Sequence, residues 1–324
     1  MKKQNLIRVS IAAVCFSVLM LACKKDSTTN SNSAPATTDL QTSTDDQAMA
    51  SDENDAVSND ATASVTAYSP SARIFSDPNA GSGSRVNGDS AVCDASVVFD
   101  TTGTTKMLTV TYNGTNCLGN RTRTGTITIS EPKGVYWKNA GATISITIQN
   151  LTITRIRDGK SIIINGFKTI TNTSGGLLTD LATRGTITHD ISDSLTIAYD
   201  KGDARVWMVS KNRVFTYANG IVITTTGTHS DGTNSDIAEW GSNRFGVSYS
   251  SRITVAKEHS QSCDFRLVSG QNTFTRGDNF TAVVTYGLDA TGNPVTSCPS
   301  GNFYAQVAWT YKPTGKTGTF LFQY

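Results

Sequence analysis

Residues that do acid–base and metal chemistry are scarce in this chain. Its 324 residues hold three histidines, His189, His229 and His259. None has a cysteine, aspartate or second histidine at the spacing of a metal ligand set or a catalytic triad. Beyond residue 68 there are three glutamates, Glu131, Glu239 and Glu258, a thin supply for glycoside hydrolysis by paired carboxylates. A Gly-x-Ser-x-Gly elbow, a glycine-rich phosphate loop opening a helix and a His-Glu-x-x-His pair are all missing. The expectation is a binding or scaffold protein without catalysis and without a metal. A polysaccharide-processing enzyme is the rival, since folding can bring distant carboxylates together, and a structural envelope component is a third reading.

Long apolar runs are missing too. Val9 to Ala22 is an apolar stretch of 14 residues, too short to span a bilayer as a helix. It follows the basic start Lys2, Lys3 and Arg8, and it ends on a small residue before a cysteine. That is the pattern of a signal peptide (1–22) cut before a lipid-accepting Cys23. Cys15 is lost with the signal. A diacylglyceryl group plus an amide-linked acyl chain would give the stable attachment that one chain cannot, so the first partner expected is a membrane.

Residues 24 to 68 carry eight acids, Asp26, Asp39, Asp45, Asp46, Asp52, Glu53, Asp55 and Asp60, against Lys24 and Lys25. The remainder is mostly Ser, Thr, Asn and Ala. Such a composition buries too little apolar surface to offset chain entropy, and the expectation for 23–68 is a lipidated cysteine on a disordered tether. The domain 69–324 then holds 23 bases and 18 acids. This modest excess, with the bases scattered singly through strands as on a solvated sheet face, gives no basis for nucleic-acid binding.

From about residue 90 the text is β structure. Leu108, Val110 and Tyr112 alternate with threonines, as do Ile144, Ile146 and Ile148, in the two-residue period of a half-buried strand. After Gln149-Asn150 the apolar phase moves by one residue, which predicts a bulge or bend. Asp158-Gly159, Asn165-Gly166 and Ala218-Asn219-Gly220 supply turn residues. Leu177 to Arg184 alone reads as a helical turn or two. The predicted class is all-β, an antiparallel meander packed as a β-sandwich or a large open barrel.

Four cysteines remain beyond the anchor, framing two similar strand–turn–strand segments. Cys93-Asp94 leads to Val110-Thr111-Tyr112 and Cys117, and Cys263-Asp264 leads to Val284-Thr285-Tyr286 and Cys298. In an oxidising envelope this repeat favours Cys93 with Cys117 and Cys263 with Cys298 among three connectivities.

With these residues in view the chain resembles a family of Bacteroidetes lipoproteins without an established activity. The resemblance runs over most of residues 90–300. It is carried by the cysteine before a strand, by Thr109 to Tyr112 with Gly114 and Cys117, by Gly119 to Gly125, by Gly166 to Asn172 and by Asn243 to Tyr249 before Cys263. Lys24-Lys25-Asp26 resembles the export signal of that phylum. The resemblance implies an outer-membrane, cell-surface location and leaves function open.

Binding candidates are aromatic. Tyr136 and Trp137, in the turn-rich Pro132 to Gly141 segment, and Trp240 beside Gly241 are placed to project from loops and stack on sugar rings. A glycan or an envelope protein is the partner expected. Trp207 and Trp309 alternate with apolar neighbours and read as core, and His189, in alternation with Ile187 and Ile191, reads as a core-facing or rim histidine. The loop Asp231 to Asp236 has oxygen ligands at alternate places, as a weak calcium site would, yet lacks a bidentate glutamate, and a solvated connection is the preferred reading.

Overall fold

The computed structural model describes residues 37–68, 92–200, 204–299 and 301–324. The signal segment, Cys23 and residues 24–36 lie outside it. The described residues open with a helix, α1 (Thr37–Tyr68), followed by β1 (Ala95–Asp100), β2 (Thr105–Thr115), β3 (Arg121–Pro132), β4 (Ala142–Arg155) and β5 (Ser161–Asn172). A single 3-10 turn and the short α2 (Leu181–Arg184) separate β5 from β6 (Thr186–Tyr199). Then come β7 (Arg205–Tyr217), β8 (Ile221–Gly227), β9 (Ile237–Ser242), β10 (Ser248–Ser260), β11 (Arg266–Arg276), β12 (Phe280–Leu288), β13 (Tyr304–Tyr311) and β14 (Lys316–Gln323).

All fourteen strands form one antiparallel meander, each paired with its neighbour in sequence except at one place. There β8 and β9 share the lane between β7 and β10. β8 pairs the Lys211–Tyr217 half of β7, and β9 pairs Trp207, Val209 and Met208 between them. The predicted phase change after Gln149 is a bulge. Asn150 takes a positive φ of 49°, and the register of β4 shifts against both β3 and β5. Gly125, at φ 116°, faces this bulge so closely that a side chain there would collide with the Asn150 carbonyl.

The antiparallel all-β meander expected from the sequence is present as one sheet. It curls around α1, and its inward residues join α1 in one core that runs from Val97 on β1 to Val307 and Tyr311 on β13, with Leu40, Met49, Val57, Ala61 and Val65 from the helix. Among the described residues β1 and β14 are not paired with each other. A smaller cluster, Leu181, Ile187, Phe215 and Ile223, packs beneath α2.

Two expectations are overturned here. Over Thr37–Tyr68 the expected disordered tether is a helix of 32 residues, about 48 Å long at 1.5 Å per residue. Its Ser, Thr, Asn and Asp residues are poor helix formers that would leave it unstable alone. Burial changes the balance. Thr44 donates its hydroxyl to the Leu40 carbonyl at 2.9 Å and Ser58 to that of Asn54 at 3.0 Å, so these two small polar side chains enter the core with a hydrogen bond made.

The second correction concerns the bases expected on a solvated face. Arg123, Arg155, Lys168, Arg205, Lys211, Arg213, Lys257 and Arg276 are all buried. Several meet the acids of α1. Asp45 pairs with Arg155 at 2.7 Å, Asp46 with Arg244 at 2.6 Å, Asp60 with Arg123 at 2.7 Å and Asp55 with Lys211 at 3.1 Å; Glu53 pairs with Arg121. The acidic helix is held by a basic inner sheet face, each satisfying charge that neither could bury alone.

Candidate functional site

At the C-terminal end of α1 the sheet leaves a pocket. β2 and β3 run antiparallel there, with Leu108 opposite Ile129 and Lys106 opposite Glu131. Both pairs share a face, because residues two apart on a strand point the same way. Leu108, Ile129, Val65, Phe99 and Tyr68 form the apolar wall, and Trp137 with Tyr136, from the β3–β4 loop, completes it. The volume is about 30 Å³, room for roughly two water-sized groups.

Two charged groups lie in this apolar lining. Lys106 pairs with Glu131 Oε2, donates to the Val135 carbonyl and sits over the Tyr136 ring, 5.0 Å from its centroid. Glu131 is 9% exposed, and its Oε1 has no hydrogen-bond partner. Burial raises the Glu131 carboxyl above its ordinary value, with Lys106 opposing. An acceptor without a donor in such a place is costly.

Of the aromatic candidates, Tyr136 and Trp137 come together here. Tyr136 is exposed at 42%. Trp137 is 2% exposed, so the expectation that it projects from a loop is corrected. It is wedged inward, with its carbonyl accepting from Asn172 Nδ2 at 2.8 Å and its ring 5.0 Å from that of His189. His189 is buried as expected, next to Phe215. Burial, with Arg213 adding, lowers its pKa to about 3.

Trp240 is absent from the pocket lining. It lies half-buried on β9 with its ring stacked on His229, centroids 4.0 Å apart. Trp207 is fully buried and Trp309 packs against the core. In the Asp231 to Asp236 loop the Asp231 carboxylate accepts from the backbone N–H of Thr233 and Asn234 at 2.9 and 2.7 Å. Its oxygens serve the turn. Among the described residues no group of three or more His, Cys, Asp or Glu is arranged to hold a metal ion.

Both disulfides join the expected partners, Cys93 with Cys117 and Cys263 with Cys298, at Cα separations of 5.5 and 5.3 Å. The first closes beside the helix. Asp94, next to Cys93, holds Arg123 at 2.5 Å while Arg123 reaches Asp60 of α1. Of the other glutamates, Glu239 is occupied in the interior by Lys211 at 2.9 Å, by Ser51 at 2.6 Å and by Gln47.

Sequence reasoning missed Lys106, Phe99 and Tyr68 as pocket residues and saw Glu131 only as a carboxylate. The available signal was Lys106-x-Leu108 facing Ile129-x-Glu131, two charges in phase with two core residues. No known protein family, no curated protein and no solved structure matches this chain.

Proposed function

We propose that the chain is a surface-displayed lipoprotein that binds a ligand without transforming it. Its lipid would sit on Cys23, fixing it to the bacterial outer membrane, and its binding site is the pocket at the C-terminal end of α1. The observation that carries this reading is the buried Glu131 carboxylate, whose Oε1 lacks a donor in a pocket lined otherwise by Lys106 and apolar or aromatic side chains. Apolar walls with a few polar groups are the lining of small-ligand sites, and at about 30 Å³ this pocket takes one functional group rather than a whole ligand. The reading without glycoside hydrolysis is supported by the lining, in which Glu131 is the single carboxylate among the described residues, whereas that reaction ordinarily needs two.

The test is a screen of glycans and small ligands against the lipid-free mature chain, reading the melting temperature and product release from the same wells. The reading expects stabilisation by some ligand, reduced in Glu131→Gln, with no product. Product release would transfer the protein to the enzyme class.

A further inference from the structure

We infer that the pocket takes the hydroxyl-bearing edge of a neutral sugar unit, an inference that rests on the binding-module reading above. Glu131 Oε2 and Lys106 already neutralise one another, so a charged ligand finds no bare counter-charge. A ligand ammonium on Oε1 would stand close to the Lys106 ammonium and be repelled. A carboxylate would meet Glu131 with like charge. A neutral hydroxyl fits both groups, because it donates to Oε1 and its lone pairs accept from a lysine N–H.

The rest of the lining suits a sugar as well. Phe99, Tyr68, Trp137 and Tyr136 surround the polar pair, and Tyr68 and Phe99 lie against each other with centroids 6.0 Å apart. Aromatic faces of this kind take the C–H surface of a ring while its hydroxyls are directed to the few polar atoms present. At about 30 Å³ the pocket admits a hydroxymethyl arm or one ring edge, not a whole disaccharide. The unit bound is therefore an end or a protruding branch, with the remainder outside against the exposed Tyr136.

The experiment is NMR titration of the lipid-free mature chain with four probes, methyl glucoside, glucosamine, glucuronate and indole, following the indole resonance of Trp137. Methyl glucoside is expected to shift that resonance saturably, with affinity at least tenfold above glucosamine and glucuronate. Glu131→Gln is expected to weaken it about tenfold and Tyr136→Ala about fivefold. Because Glu131→Gln also removes the partner of Lys106, Tyr136→Ala, at an exposed site, serves as the variant that keeps the fold, checked by an unchanged melting temperature. Tighter binding of glucosamine, glucuronate or indole at the same resonance overturns the sugar assignment and leaves the binding site standing. No shift of Trp137 with any probe overturns the site and the reading it rests on.

Discussion

Lys211 on β7 places its Nζ 3.1 Å from Asp55 of α1 and 2.9 Å from Glu239 of β9, joining three segments far apart in sequence at one buried ammonium. Burial by itself would raise the Asp55 carboxyl, but Lys211 and Arg213 reverse this and hold it well below the usual carboxylate range. One ammonium pairs directly with two carboxylates.

That ratio gives an asymmetric expectation. Lys211→Met removes the cation that pairs directly with both carboxylates, leaving Arg213 and Lys257 as the remaining positive charges acting on them, and should destabilise by roughly 3 to 5 kcal/mol. Asp55→Asn leaves the pair with Glu239 intact and should cost about 1 to 3 kcal/mol, the range for one lost polar partner. Urea unfolding of both variants checks this. Equal costs would mean that Asp55 and Glu239 do not share the lysine.

Lys168 and Asp193 behave differently. Their side chains are wholly buried, 2.6 Å apart, and burial pushes each toward its neutral form against the attraction of the other. Either single replacement, Lys168→Met or Asp193→Leu, should cost about 3 to 5 kcal/mol, while the double replacement should recover most of it. Additive losses in the cycle would contradict this pairing.

The buried histidines should make the fold sensitive to acid. Burial lowers His189 and His259 from 6.5 to about 3, so between those values the unfolded chain binds more protons and stability falls as pH falls. Asp52 opposes them. Burial lifts it from 3.8 to about 7 despite Arg121 and Lys257, so in that window the folded chain holds a proton that the unfolded chain releases. Each histidine contributes a loss of up to about 1.4 kcal/mol per pH unit on going from pH 6 to 4, and Asp60, Asp193 and Glu131, which burial also raises, act on the side of Asp52. His189→Asn should flatten the slope in that interval. A slope unchanged by that substitution would place His189 in contact with water.

The disulfides should act independently. They close loops of 24 and 35 residues in sequence separation, and in the chain-entropy account each contributes about 3 to 4 kcal/mol. Cys93→Ala with Cys117→Ala, and the corresponding pair at Cys263 and Cys298, should each lower stability by that amount in urea titrations. Loss of folding from the first pair alone would show that Asp94, which orients Arg123 toward α1, matters more than loop closure.

The strands were legible because alternation survives wherever one face is buried. Ile144, Ile146 and Ile148 point inward as their spacing says, and the bulge at Asn150 follows from the phase change. What the inner face meets was hidden. On β7 the residues Arg205, Trp207, Val209, Lys211, Arg213 and Phe215 share one buried face, so three cations stand in the phase of three core residues. That coincidence was visible in the sequence and pointed to an anionic partner inside the sheet. The partner was masked by its own composition, since α1 has no apolar stripe and its buried Ser, Thr and Asp residues look like those of a chain that cannot fold. The pocket was half legible, through Tyr136 and Trp137, but its polar pair depends on the β2–β3 register and its Tyr68 and Val65 wall on the helix.

The central claim is that α1 is part of the core, and hydrogen exchange of its amides in the native chain tests it most directly. If the helix is enclosed by the sheet and fixed by Asp45, Asp46, Glu53, Asp55 and Asp60, peptides covering residues 44–63 should exchange as slowly as β4 to β6 and open with them in one global event. Complete exchange of that segment within seconds, while the strands stay protected, would contradict the account and return these residues to the role of a tether.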